Sequence, residues 1–116
     1  MFSANSATLG LTATERVHIG RRAADALAEE VQTLGAERIF LLVSTTLRNS
    51  TTEISDIEAA LGDSVACVFD GIKAHGPRSD VLAALEAARA VDTDLIITVG
   101  GGSVTDAGKV IALGLK

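Results

Sequence analysis

Three short, almost unbroken apolar runs set the terms for this chain: RIFLLV at 38–43, VACVF at 65–69 and LIITV at 95–99. Runs of this length without polar alternation fit strands covered on both faces, as in a parallel sheet. Between and around them, apolar residues recur with helical period. Ala24, Leu27, Ala28, Val31 and Leu34 form one stripe, with Gly35 as its C-terminal stop. Ile54, Ile57 and Leu61 form a second, preceded by the capping-box pattern STTE at 50–53 and followed by Gly62. Val81, Leu85 and Ala88 form a third, after Pro77, with Ser79 as the expected N-cap. Val104, Ala107, Gly108, Ile111 and Leu115 form the fourth. Helices alternating with buried strands predict an α/β fold, a mostly parallel sheet with helices on both faces. ERVHIG at 15–20 adds one short strand of an antiparallel piece at the N-terminus.

A single domain is expected for 116 residues, and 47% hydrophobic residues are enough for a real core. Composition also excludes some functions. With 3% aromatic residues and a net charge of −5, the chain has neither base-stacking rings nor a basic footprint, so no nucleic-acid partner is expected. No apolar run approaches the ~20 residues of a membrane span, and the first ten residues lack the basic and apolar regions of a secretory signal. The lone Cys67 sits in an apolar run, reads as core packing, and fits a cytoplasmic setting. His18 and His75 are isolated in sequence, and nothing has the spacing of a metal site.

The chemistry-bearing stretch is TVGGGSVTDAGKV at 98–110. Three glycines and a serine follow the third buried strand and open the fourth helix. Ligands of open α/β sheets bind there, beyond the carboxyl ends of the strands. Glycines let backbone amides approach a phosphate, and the helix start adds unpaired N–H donors and a positive dipole end. Gly100, Gly101, Gly102 and Ser103 therefore read as a diphosphate cradle, with a tight packing turn as the alternative. Two common phosphate motifs fail. A G-x-G-x-x-G run from Gly100 meets Thr105, and a P-loop ending at Gly108-Lys109 meets Ser103 and Val110 where Gly and Ser/Thr are needed. Asp106 can reach back to cap the helix at Ser103 or face a ligand; Lys109, one turn on, reads as solvated. His75 and Arg78, in KAHGPR, read as loop and surface residues, and the arginines of GRRAAD at 20–25 as solvated at a helix start.

Taken together, GGGSVTDAGKVIALG resembles the signature G-G-G-S-x-x-D-x-x-K-x-x-A of the iron-containing (group III) alcohol dehydrogenases, matched here by Gly100, Gly101, Gly102, Ser103, Asp106, Lys109 and Ala112. The stretch upstream, from VFDGIKAHGPR to the third strand, is similar to the same family, including its maleylacetate reductase branch. The resemblance runs from about Glu15 to the end. It implies an N-terminal Rossmann-like domain, here residues 1–116, that binds NAD or NADP with its glycine turn on the pyrophosphate. It also implies a C-terminal helical domain carrying an Asp and three His that hold iron or another divalent metal. That domain, and the threonine-rich strand pair before it, have no counterpart in this sequence. The chain alone is accordingly expected to lack turnover.

One departure bears on the cofactor. After its first buried strand the family often has V-T-D-P, whose Asp takes the adenosine ribose hydroxyls; here the residues are Val43-Ser44-Thr45-Thr46. Loss of that carboxylate could admit a 2′-phosphate or weaken dinucleotide binding altogether. Thr45 and Leu47 either line the adenine side or belong to a capped loop before the next helix. Three functions follow. One is the NAD(P)-binding part of an iron-type oxidoreductase that transfers hydride between nicotinamide and an alcohol or carbonyl. Another is a stand-alone dinucleotide- or diphosphate-binding module. The third is a structural subunit completed by a helical domain or by a second copy of the chain.

Overall fold

The computed structural model describes residues 7–11 and 14–116, with side chains from residue 20 onward. Two strands, β1 (Ala7–Leu11) and β2 (Thr14–Ile19), pair antiparallel, Ala7 opposite Ile19 and Leu11 opposite Thr14. The expected N-terminal antiparallel piece is thus present, with a partner strand that the sequence reading did not find. His18 lies on β2 with its side chain outside the described set. The stretch read for a secretory signal falls partly outside the described residues.

The main sheet has three parallel strands in the order β4-β3-β5: β3 (Ile39–Val43), β4 (Val65–Phe69) and β5 (Leu95–Val99). Each matches an apolar run to within a residue. β3 is the central strand, and all five of its residues are buried. β4 and β5 are half-buried except at Ile97, because each has a neighbour on one side only among the described strands.

Alternation along β3 divides the core. Ile39, Leu41 and Val43 face α1 (Ala23–Leu34) and α3 (Glu53–Leu61), where Ala24, Val31, Ile54, Ile57 and Leu61 close over them. Phe40 and Leu42 face the opposite way, toward α4 (Arg78–Ala90) and α5 (Gly102–Gly114), through Ala84, Ala88, Val104, Ala107 and Ile111. This is the doubly covered sheet that the sequence predicts. Gly35 ends α1 in the left-handed conformation at φ 69°, its N–H donating to the carbonyls of Val31 and Gln32. Gly62 ends α3 at φ 59°. Leu34, the last member of the α1 stripe, is 56% exposed.

The serines expected as caps behave differently. A short helix, α2 (Thr45–Ser50), absorbs Ser50 into its last turn, so the 50–53 capping box does not form. Instead Thr51 Oγ1 accepts from the Glu53 N–H at 3.2 Å and donates to the Leu47 carbonyl at 2.7 Å. Ser79 lies inside the first turn of α4. Pro77 takes the N-cap position, its carbonyl accepting from Asp80 and Val81 at 2.9 and 3.1 Å. Proline's fixed φ suits the approach to a helix, so the helix starts two residues earlier than a Ser79 cap would give and needs no serine.

Candidate functional site

The strand order creates the site. After β3 the chain turns to the face of α3, and after β5 to the face of α5. The two adjacent strands therefore release their following segments in opposite directions, leaving a crevice at their carboxyl ends, where α/β proteins hold ligands. The Ser44 N–H donates to the Val99 carbonyl at 2.8 Å and sets how closely the two turns approach. A cleft of about 560 Å³ opens above this point, lined on one side by Ser44, Thr45 and Thr46, on another by residues 71–74, and on the third by residues 101–104. A second cleft of about 440 Å³ lies beyond the glycine turn, between His75, Gly76 and Val81 and the α5 residues Asp106, Ala107 and Val110. Gly102 and Ser103 line both.

The glycines divide the two roles left open by the sequence. A Cβ at Gly100 would lie 3.0 Å from Val104 Cγ2 and 3.1 Å from Ser44 Cβ, so that glycine serves close packing within the protein. Cβ atoms at Gly101 and Gly102 would meet nothing within 4 Å. Those two leave backbone bare toward the clefts. Gly101 is the N-cap of α5, has no side chain to offer, and leaves the first-turn amides without a side-chain acceptor. Gly108 belongs to the packing class. A Cβ there would fall 2.4 Å from Thr98 Cγ2, so its absence lets α5 lie directly on β5.

Ser103 is not the cap of α5. Its Oγ accepts from the backbone N–H of His75 at 3.0 Å, tying the β4–α4 loop to the glycine turn. With Gly101 in the cap position, Asp106 has no cap at Ser103 to complete. It stands exposed on the wall of the second cleft. Thr45 lines the first cleft, but its hydroxyl donates to the Asp70 carbonyl. Leu47 packs on the core of the α1–α3 face, its N–H held at 3.3 Å by the Ser44 hydroxyl that caps α2. Arg48, one turn into α2, pairs with the Asp70 carboxylate at 3.1 Å, a half-exposed pair of small energetic weight. Lys73 is the cation that the sequence reading passed over. It sits exposed on the wall of the first cleft. Its only signal was its place in the loop after the second buried strand. Cys67 is half-buried against the α4–α5 core, and burial pushes its thiol pKa up, away from the reactive thiolate.

Among the described residues, no group of three or more His, Cys, Asp and Glu side chains is gathered closely enough to hold a metal ion. No described helix is long and apolar enough to cross a membrane.

A parallel sheet with order β4-β3-β5 and helices on both faces makes this a Rossmann-like α/β domain. Residues 14–116 match the family model described as iron-containing alcohol dehydrogenase, and the chain belongs to that family. It is 38% identical over 100 residues to maleylacetate reductase 1 of Cupriavidus pinatubonensis, which covers 86% of this chain and 27% of that protein. It is 37% identical over 102 residues to a maleylacetate reductase of Rhizobium sp., covering 88% of this chain and 28% of that protein. The crystal structure of maleylacetate reductase from Agrobacterium tumefaciens superposes with a TM-score of 0.69 at 33% identity, over 79% of this chain and 25% of that one. The chain thus spans about a quarter of the length of these relatives.

Proposed function

We propose that these residues are the dinucleotide-binding part of an iron-type alcohol dehydrogenase or maleylacetate reductase-like oxidoreductase, with NAD or NADP as ligand. The observation that carries the reading is the meeting of two clefts at Gly102 and Ser103, over glycine backbone left bare toward open space. A dinucleotide is two nucleosides joined by a diphosphate, and its bridge would fit where the clefts meet. There the amides and dipole of the α5 N-terminus favour negative charge.

Gly101, Gly102 and Ser103 would hold the diphosphate, with Lys73 offsetting its charge from the wall of the first cleft. Asp106 is poorly suited to a phosphate, and its exposed carboxylate would accept from ribose hydroxyls instead. On the other side, Thr45 offers no carboxylate to repel a 2′-phosphate. The nearby Asp70 carboxylate is partly neutralised by Arg48, so NADP is admitted as well as NAD.

When bound, the nicotinamide supplies or takes up the hydride exchanged with an alcohol or carbonyl in the complete enzyme. The described residues do not fit a metal ion, so a metal would be held by parts of the enzyme beyond them, and no catalytic step is assigned to these side chains. The binding function fits a cytoplasmic enzyme. Titration of the 116-residue chain with NADH and then NADPH, followed by the fluorescence of the reduced nicotinamide, tests the reading. Saturable binding below about 1 mM is expected for at least one of them. A folded chain that binds neither at that concentration overturns it.

A further inference from the structure

The β4–α4 loop, residues 70–77, has two walls to lean on, and a hydroxyl ties it to each. At its start, the Thr45 hydroxyl on α2 donates to the Asp70 carbonyl. At its far end, the His75 N–H donates to Ser103 Oγ on α5 at 3.0 Å. Between them the loop closes on itself: the Gly76 N–H donates to the Lys73 carbonyl, and the Lys73 N–H to Asp80 Oδ2 at 3.1 Å. The loop passes so close to α5 that a Cβ at Gly76 would lie 3.8 Å from the Ser103 carbonyl oxygen.

His75 itself is held at φ 68°, a left-handed conformation that costs a non-glycine residue about 1 kcal/mol or more. Something must hold it there, and its exposed side chain makes no hydrogen bond or ion pair among the described residues. The contact that reaches it from α5 is Ser103. A serine hydroxyl has two acceptor lone pairs and one proton. One lone pair takes the His75 N–H, and the proton remains to donate toward the clefts that Ser103 lines.

We propose that Ser103 is a positioning residue that couples nucleotide binding to the β4–α4 loop. Its hydroxyl latches His75 in the left-handed conformation and so sets the loop wall shared by both clefts. A phosphate oxygen accepting the Ser103 proton polarises the hydroxyl and strengthens the latch. Ligand binding and loop order then reinforce one another. This coupling rests on the dinucleotide reading above, whereas the latch does not depend on it.

The test is amide hydrogen exchange of the 116-residue chain, resolved at His75 and at the β3 amides, with and without saturating NADH. It is run on wild type, Ser103→Ala and Ser103→Thr. In the ligand-free protein, Ser103→Ala should speed exchange at His75 about fivefold and leave β3 unchanged, and Ser103→Thr should restore wild-type exchange. Equal His75 exchange in wild type and Ser103→Ala overturns the latch, whatever the protein binds. Faster exchange throughout β3 also overturns it, since Ser103 would then be supporting the fold as a whole.

Saturating NADH should slow His75 exchange further in wild type and Ser103→Thr, but not in Ser103→Ala. If NADH protects His75 equally in Ser103→Ala, the serine is only a phosphate contact and the coupling is wrong. If wild type does not bind NADH at all, the coupling falls with the dinucleotide reading, and exchange in the free protein still decides the latch.

Discussion

The two ends of the three-stranded sheet are finished in opposite ways. At the amino ends, side chains take up backbone groups. The Asp94 carboxylate accepts from the N–H groups of Glu37 at 2.9 Å and Arg38 at 3.0 Å, while its own N–H donates to the Arg38 carbonyl. The Arg38 side chain reaches the Val91 carbonyl, and the Thr93 hydroxyl the Ala88 carbonyl. At the carboxyl ends the chain spends glycine instead, and the α5 N-cap carries no side chain. The same three strands are tied together by side chains at one end and carry bare glycine backbone at the other, where the proposed dinucleotide would bind. Changes at the amino end should therefore alter stability alone, and changes at the carboxyl end should alter binding.

The largest stability effect is expected at Gly108, where the two demands meet. A methyl at that position would fall 2.4 Å from Thr98 Cγ2 and push α5 off β5. Gly108→Ala should cost about 1–3 kcal/mol in urea unfolding and also weaken NADH binding, since the helix start moves with the helix. Removing the opposing methyl in the Gly108→Ala/Thr98→Ser double variant should recover most of both. Recovery of neither would mean that the contact at Thr98 is not what seats α5.

Asp94→Asn probes the amino end. It exchanges a carboxylate holding two amides for a neutral acceptor and, because the group is exposed to solvent, should cost about 1 kcal/mol, with NADH affinity unchanged. The pH dependence has a definite sign. The Glu37 amide foremost, with that of Arg38, lowers the Asp94 pKa from its ordinary 3.8. The folded state therefore binds this proton less readily than the unfolded chain. The stabilisation is fully present above that ordinary value and is lost as pH falls through the lowered one. Acid unfolding curves of wild type and Asp94→Asn should accordingly converge as pH drops below about 4. Curves that stay parallel would remove the carboxylate from the explanation.

The smallest effect is expected at Ser44, whose hydroxyl caps α2 by accepting from Leu47. Ser44→Ala should lower stability by about 1 kcal/mol or less and weaken NADH binding only slightly. A loss of binding as large as that from a change at the glycine turn would move the anion site from α5 to α2.

Much of this contrast is written locally in the sequence. Continuous apolar runs marked β3, β4 and β5, helical periodicity marked α1, α3, α4 and α5, and Gly35 and Gly62 marked two helix ends. The glycine turn was legible because three glycines after a strand leave few alternatives. What escaped depends on contacts between distant segments. α2 buries no residue and so has no periodicity to read. Ser79 and Ser103 are good cap residues by type, yet Pro77 and Gly101 take the cap positions. Lys73 reaches the cleft, and His75 reaches Ser103, only because β4 and β5 flank the same central strand.

Gly101→Asp, titrated calorimetrically with NADH beside the wild type, puts the most direct question to the open end. Gly101 has extended backbone at φ −86° and open space around its Cβ position, and Asp is among the best N-cap residues. The substitution should leave thermal stability equal or slightly raised while placing a negative charge where a diphosphate would lie. Loss of NADH affinity by about tenfold or more in a fully folded variant is the expected result. Unchanged affinity in that variant would contradict the assignment of the glycine turn as the diphosphate cradle.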